Sequence, residues 1–194
     1  MRTHALCSIL LLCGSSSCSQ EVPAAHDARA EAAETPGAPA ARELAVKDLR
    51  FDLPEAWREA TPSSSMRVAQ YDVDDACTFV VFSFPGGGTV DANIDRWISQ
   101  LSQPDGRDSR ELAVRSRSER NGLVLHGFDL TGTWSGGMGD QGGEGMRFLA
   151  TIVETPDGMV FLRLTGPADA VAAAKPDFDA LSASARRAGG DAGR

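Results

Sequence analysis

The residues that could act as nucleophiles or bases are few once the first eighteen positions are set aside. Cys77 is then the single thiol, and His126 is the single histidine between residues 43 and 188. A Cys–His pair can activate a thiol for catalysis, but neither residue stands in a recognisable local motif. Ser63-Ser64-Ser65 lacks the G-x-S-x-G context of a hydrolase serine. The sequence therefore indicates no catalytic residue, although its many acids leave a paired-carboxylate hydrolase open.

The sequence lacks residues that a metal site or a phosphate-binding site would need. A zinc site needs three or four ligands, which one cysteine and one histidine do not supply. The acidic segment Asp72-Val73-Asp74-Asp75 is too short for an EF-hand and is interpreted as a charged turn. Gly86-Gly87-Gly88 precedes a helix but is not followed by a lysine, and Asp91 and Asp95 would repel an anion there. We expect neither a metal nor a cofactor.

A stripe of polar and aromatic residues is the first candidate for binding. Asn93, Arg96, Trp97 and Gln100 recur at helical spacing and share one side of a predicted helix. Two amides, a guanidinium and an indole could recognise a peptide carbonyl, a carboxylate or a sugar. The alternative interpretation places Trp97 in the core and uses the amides to satisfy nearby backbone groups.

A glycine-rich segment, Ser135–Gly145, is the second candidate contact surface, together with the neighbouring Trp134 and Met138. Loops on a rigid scaffold often carry binding residues. The segment is interpreted either as a mobile loop or as a lid.

The N-terminal segment is typical of an export signal. Met1–Cys18 has Arg2 near its start, then a short apolar stretch and then small residues. Ser17-Cys18 resembles a lipoprotein cleavage site, which would make Cys18 the lipidated residue; Leu12-Cys13 and ordinary signal cleavage remain alternatives. Residues 19–42 are rich in Ala, Glu and Pro and are predicted to be a flexible linker.

The remaining sequence predicts an α+β domain at 43–188, followed by a short flexible tail at 189–194. Apolar alternation and two hairpin signals, Asn121-Gly122 and Asp157-Gly158, indicate about seven mostly antiparallel strands. A mid-chain helix is predicted at Val90–Gln103, and two helical stretches, Pro167–Ala174 and Asp177–Ala188, at the C-terminus. The predicted strands are Leu49–Leu53, Met66–Val73, Cys77–Phe84, Leu112–Glu119, Leu123–Thr133, Met146–Glu154 and Met159–Thr165.

This order of elements resembles the PsbP-type fold, a twisted antiparallel sheet with one inserted helix and one closing helix. A more local resemblance is to uncharacterised exported proteins of environmental bacteria. It rests on Leu53-Pro54-Glu55-Ala56-Trp57 and on Gly86-Gly87-Gly88-Thr89-Val90, which leads into the stripe from Asn93 to Gln100. No activity is carried over with either resemblance, because a fold alone does not define a function.

These observations favour a non-catalytic binding or assembly module of the cell envelope, exported to the periplasm or cell surface and anchored by a lipid. Its expected partner is another envelope protein. The net charge of −8 argues against nucleic-acid binding. Two alternatives remain. The first is a carrier of a small ligand held between the sheet and the Trp97 helix, and the second is an unrecognised hydrolase.

Overall fold

The computed structural model describes residues 42–137 and 139–189. The predicted signal segment, nearly all of the predicted linker, residues 190–194 and Met138 lie outside the described residues. Arg42, predicted as the end of the linker, is the first residue of a strand. The elements are β1 (Arg42–Val46), β2 (Leu49–Leu53), β3 (Arg58–Glu59), β4 (Arg67–Asp72), β5 (Thr78–Phe84), α1 (Val90–Ile98), β6 (Leu101–Ser102), α2 (Ser109–Leu112), β7 (Val114–Arg120), β8 (Leu123–Trp134), β9 (Gly143–Thr155), β10 (Gly158–Pro167), α3 (Ala168–Ala183) and β11 (Arg186–Arg187).

The predicted α+β class with an antiparallel sheet is confirmed. Eight strands form one sheet in the order β3-β4-β5-β10-β9-β8-β6, with β7 also paired to β8, and β1-β2-β11 form a second sheet. The described residues hold eleven strands rather than about seven. Three of the additional strands contain only two residues, too few to show the alternation that identifies a strand in a sequence.

Apolar cores lie on both faces of the large sheet. On one face, Phe79 and Val81 of β5 pack with Phe178 of α3 and with the small sheet. On the other face, Val80 and Phe82 belong to the core that α1 covers. The prediction that this strand is buried on both sides is confirmed, and the α1 face is the one that carries the candidate site.

Helix α1 begins as predicted but ends earlier. Thr89 is its N-cap, because the Thr89 hydroxyl accepts a hydrogen bond from the backbone N–H of Ala92 at 3.1 Å. The predicted extension to Gln103 is wrong, since Leu101 and Ser102 pair with β8 as a short strand. Strand pairing satisfies the same backbone groups that the extended helix would have used.

The C-terminal segment forms one helix rather than two. Helix α3 runs through Pro176, and its buried Phe178 and Leu181 anchor it to the sheet. The prediction of helix up to Ala188 is wrong, because Arg186 and Arg187 pair with β2. Each of these arginines forms an ion pair with an acid of the small sheet or of its turn. None of the helices in the described part of the chain has the length and apolar character of a membrane span.

Candidate functional site

The amide of Asn93 and the guanidinium of Arg96 form one hydrogen-bonded unit on α1. Asn93 is buried, and its Nδ2 donates to the carbonyls of Gly87 at 2.8 Å and Thr89 at 2.9 Å. Its Oδ1 accepts a hydrogen bond from Nη2 of Arg96 at 3.0 Å. Asn93 therefore ties the glycine turn to the helix and also fixes the direction of an exposed arginine.

Trp97 lies inside the core, as the alternative interpretation of the stripe expected. Its ring packs 5.4–6.0 Å from the rings of Phe128, Phe148 and Phe161, measured between centroids. Gln100 is half-buried, and its backbone carbonyl accepts a hydrogen bond from the N–H of Ser135 at 2.9 Å. Of the four predicted binding residues, Arg96 is the one that the structure leaves exposed.

A buried cluster of charge lies on the same face of the sheet, and no sequence pattern predicts it. Arg163 of β10 forms an ion pair with Asp140. Nη2 of Arg67 lies 2.7 Å from Oδ1 of the same carboxylate. The side chains of Arg163, Arg67 and Asp140 are 5%, 1% and 11% exposed, respectively. One carboxylate therefore bridges two guanidiniums that are almost entirely removed from solvent.

A β-bulge directs the side chain of Arg67 toward this cluster. The pairing of β4 with β5 shifts between Arg67 and Ala69, which leaves the intervening Val68 half-exposed. Arg67 therefore lies opposite Phe82, whose side chain belongs to the α1 core. Nη1 of Arg67 also donates to Oε1 of Gln70 at 2.7 Å. A register shift of this kind leaves no signal in the hydrophobic pattern. The position of Arg67 in the cluster therefore could not be predicted from the sequence.

Asp140 reaches the cluster from a tight turn within the glycine-rich segment. Gly137 and Asp140 form an isolated bridge, with hydrogen bonds in both directions at 3.1 and 3.3 Å. Gly136 and Gly137 have φ angles of 76° and 137°, which other residues rarely adopt. A Cβ at Gly142 would lie 2.1 Å from the carbonyl oxygen of Trp134. The glycines therefore permit the turn that places Asp140.

Positive charge exceeds negative charge around Arg163. Burial lowers the pKa of the Arg163 guanidinium to about 10; Asp140 opposes this effect, while the charges of Arg67 and Arg96 add to it. The guanidinium carbon also lies 5.0 Å from the ring centroid of Phe82 and 5.5 Å from that of Trp134. Such cation–π contacts compensate part of the desolvation of the guanidinium.

Two buried donors near Asp140 lack an acceptor within the described part of the chain. Nη2 of Arg163 donates a hydrogen bond to the carboxylate of Asp140. Nε of Arg163 and Nε1 of Trp134 are buried without a partner among the described residues. Because buried donors normally have acceptors, this cluster is suited to a group that accepts hydrogen bonds.

A small cavity joins the α1 stripe to the buried cluster. It has a volume of about 10 Å³ and is lined by Phe82, Phe84, Arg96, Trp97, Phe161 and Arg163. Such a volume is at the lower limit for one water molecule. Arg96 and Arg163 therefore face the same narrow space, one from the surface and one from the sheet.

A second, open groove lies on the opposite face, between α3 and strands β7 to β9. Its volume is about 400 Å³, and its polar lining includes Ser116, Ser118 and Lys175. At its base, the hydroxyls of Thr151 and Ser182 form a buried hydrogen bond of 3.0 Å. These groups are satisfied by each other, so the base of the groove does not direct a free donor or acceptor toward a ligand.

Cys77 and His126 are not brought together. Cys77 packs in the α3-side core, whereas His126 of β8 lies opposite Ile152, which belongs to the α1-side core. Strands β9 and β10 separate β8 from β5, and three strand spacings are about 14 Å. Nε2 of His126 instead contacts Oε1 of Glu154 at 2.5 Å. The two residues therefore do not form a catalytic pair.

The Cys77 thiol is expected to be inert at neutral and mildly alkaline pH. Burial, followed by the charge and hydrogen bonding of Asp74, raises the pKa of this thiol from 9.0 to about 12. We expect a thiol reagent at pH 8 to leave Cys77 unmodified in the folded protein and to label it in guanidinium chloride. The thiol's contribution to stability is complete below pH 9 and is lost as the pH rises toward 12. Rapid labelling of Cys77 in the folded protein, located by peptide mass mapping, would contradict this assignment.

The acidic segment near Cys77 is a turn, as predicted. Oδ1 of Asp74 accepts hydrogen bonds from the backbone N–H groups of Ala76 and Cys77 at 2.8 and 2.5 Å. Within residues 42–137 and 139–189, the structure does not bring three or more His, Cys, Asp or Glu side chains together in a group that could hold a metal ion.

The architecture is consistent with the PsbP-type layout expected from the sequence, and the solved structures similar to this chain include a PsbP protein. No protein-family model matches the chain, and no curated protein matches it. The solution structure of cyanobacterial PsbP (CyanoP) from Synechocystis sp. PCC 6803 is 12% identical, has a TM-score of 0.48, and the match covers 79% of this chain and 96% of that chain.

Two further solved structures are similar at the same level. Protein of unknown function PA94 from Pseudomonas aeruginosa, a putative regulator, is 12% identical with a TM-score of 0.42, and the match covers 72% of this chain and 91% of that chain. LpqN of Mycobacterium tuberculosis, described as involved in cell envelope biogenesis, is 11% identical with a TM-score of 0.39. That match covers 78% of this chain and 86% of LpqN. With TM-scores below 0.5, these likenesses define neither the family nor the function of this chain.

Proposed function

We propose that this chain is an exported, membrane-tethered binding module of the cell envelope, which recognises another envelope protein through the exposed surface of α1. The observation that carries the proposal is Arg96, an exposed guanidinium held by the buried amide of Asn93. Asn93 is itself fixed by two backbone carbonyls. An arginine oriented in this way loses less conformational entropy on binding than a free one.

Arginine on a rigid element is a frequent centre of protein recognition. It presents several donors in a fixed plane, which suits a carboxylate or a peptide carbonyl of a partner. Trp97 anchors the helix beneath it. The nearby acids do not cancel this positive charge, because Asp95 contacts Arg110 at 2.6 Å and Arg115 at 3.0 Å. The α1 surface therefore presents a positively charged side chain, that of Arg96, on a helix that is anchored in the core.

The two alternatives have less support. A ligand carried between the sheet and Trp97 requires a cavity, but that space measures about 10 Å³. For a paired-carboxylate hydrolase, arginine hydrogen bonds lower the pKa of Asp95 and Asp105, the opposite of the shift that a general acid needs. The binding module is therefore the function that the geometry supports best.

Tethering is proposed from the sequence of the N-terminal segment. Its layout is that of an export signal, and Ser17-Cys18 provides the lipidation position. A lipid on Cys18 would hold the domain at a membrane surface through residues 19–42. A Cys18→Ala variant should move from the membrane fraction to the soluble fraction of the envelope, and an unchanged distribution would remove the lipid from the proposal.

A pull-down from detergent-solubilised envelopes tests the binding surface. We expect Arg96→Glu to lose the partner by at least tenfold, because it reverses the charge at the proposed contact. Arg120→Glu is the matched control, since Arg120 is also exposed but lies at the end of β7, beside the groove on the opposite face. Both variants must retain the wild-type circular dichroism spectrum and thermal midpoint.

Each result of the pull-down has a defined meaning. Loss of a specific partner with Arg96→Glu alone supports the proposal. A partner that is retained by the Arg96 variant would move the binding surface away from α1. If no specific partner is recovered with the wild-type chain, the assembly role itself is contradicted.

A further inference from the structure

We propose that this chain pairs with a second copy of itself through the outer edge of β7, so that two antiparallel β7 strands join the two large sheets. The proposal rests on an open strand edge, on the direction of its backbone groups and on its charge pattern. It goes beyond the proposed function because it concerns a second copy of the chain at β7 rather than an envelope partner at α1.

The outer edge of β7 is open in the described part of the chain. Strand β7 pairs with β8 on one side, and no described strand pairs with it on the other. Six of its seven residues are exposed, and Val114 at its start is 64% exposed. The strand contains no proline, and its register with β8 runs without a bulge. Short length, proline and bulges, which commonly prevent pairing at an edge, are therefore all absent from β7.

The backbone groups of alternate β7 residues point toward this open edge. The two-residue turn after Arg120 makes Arg120 and its neighbour on β8 a hydrogen-bonded pair. Hydrogen-bonded and non-hydrogen-bonded pairs alternate along an antiparallel ladder, so the N–H and C=O groups of Arg115, Arg117 and Glu119 point away from β8. The outward carbonyl of Glu119 indeed accepts a hydrogen bond of 2.9 Å from Nη1 of Arg120. A strand added at this edge would pair with these outward groups.

The charges of β7 select one register for pairing with a second copy. A two-fold axis at Arg115, Arg117 or Glu119 would bring a charged residue against its own copy. An axis at Ser116 would place Arg115 opposite Arg117. An axis at Ser118 avoids all such contacts, because like charges directly opposite each other destabilise a strand pair and here none are opposed.

The register centred on Ser118 is complementary in both charge and hydrogen bonding. It places Arg117 of each copy opposite Glu119 of the other, and these pairs exchange backbone hydrogen bonds through their outward groups. Within one chain the side chains of Arg117 and Glu119 already meet at 3.1 Å, so both lie on the same face of the sheet. Arg120 lies opposite the uncharged Ser116. Charge complementarity therefore favours a second copy of this chain as the occupant of the edge.

Disulfide crosslinking in the full chain tests the register. With the axis at Ser118, the two Ser118 Cα atoms are about 4.5 Å apart, within the range for a disulfide. The two Ser116 Cα atoms are about 14 Å apart, since they are offset by four residues. We expect mild oxidation to link Ser118→Cys chains at least tenfold faster than Ser116→Cys chains, with the linked residues located by peptide mass mapping. Equal rates for the two variants would overturn the proposal.

Sedimentation of the full chain as a function of concentration tests the charge pairs. Arg117→Glu should weaken dimerisation at least tenfold, because it places Glu opposite Glu119 twice. Exchanging the two charges in Arg117→Glu/Glu119→Arg should restore the dimer, which a general loss of folding would not allow. Arg120→Glu is the control and should keep the dimer, because no charged residue lies opposite it.

Charged side chains on an edge strand can also serve to keep it unpaired. A wild-type chain that stays monomeric up to about 1 mM would establish that role and overturn the proposal. A dimer that Arg117→Glu leaves intact would overturn it as well, because its interface would lie elsewhere. Neither experiment involves an envelope partner or Arg96, so failure of β7 pairing and failure of the proposed function are distinguishable.

Discussion

Replacing Asp140 with alanine should destabilise this domain by about 3–5 kcal/mol, one of the two largest single-residue effects that we expect. Asp140 contacts both Arg67 and Arg163 beneath the α1 face. Without its carboxylate, Arg163 loses its acidic partner and faces the positive charge of Arg67 inside the protein. Urea unfolding followed by circular dichroism measures the change in the free energy of unfolding.

Asp129→Ala is the matched control for this prediction. Asp129 also pairs with an arginine, Arg147, at 2.6 Å, but both side chains are about one-fifth exposed. Solvent screens such a pair, so we expect a loss of roughly 1 kcal/mol. If Asp140→Ala and Asp129→Ala lose equal amounts, the buried cluster does not have the structural importance assigned to it.

Replacing Trp97 with alanine should cost about 3–5 kcal/mol, the typical range for removing a buried aromatic side chain. The Trp97 ring is 4% exposed and packs against Phe128, Phe148 and Phe161. Its removal would leave a cavity between α1 and the sheet. The free energy of unfolding from urea titration is again the measured quantity.

Trp97→Phe separates a structural role of this residue from direct contact with a partner. Phenylalanine keeps most of the apolar volume but lacks the indole N–H. We expect this variant to lose less than half of the stability lost by Trp97→Ala and to retain partner binding in the pull-down. A folded Trp97→Phe variant that no longer binds the partner would place Trp97 itself in the interface, contrary to its burial.

The regular elements of the fold could be predicted because their signals are local. Asn121 and Gly122 both have positive φ angles, 51° and 73°, as the predicted tight hairpin requires. The run Phe79–Phe82, which is apolar on both faces of β5, likewise identified a central strand. Short strands gave no such signal: β11 forms because Arg186 meets acids more than a hundred residues away in the chain.

The candidate site was predictable only in part. The stripe on α1 could be identified from its spacing, but spacing does not show that Asn93 faces the glycine turn or that Trp97 faces the core. The pairing of Arg163 with Asp140 joins a strand to a turn, and the placement of Arg67 depends on a bulge. Such contacts arise from tertiary packing and bulge geometry, which a single sequence does not encode in a periodic pattern.

Photocrosslinking in intact cells tests whether the protein binds its partner through α1. A photoreactive amino acid at Ala92, exposed on α1, should give one discrete adduct with an envelope protein. The same amino acid at Asp169, exposed on α3 on the other face of the sheet, should give none. We expect the adduct at position 92 to disappear when Arg96→Glu is added. An adduct from position 169 but not from position 92 would contradict binding through α1.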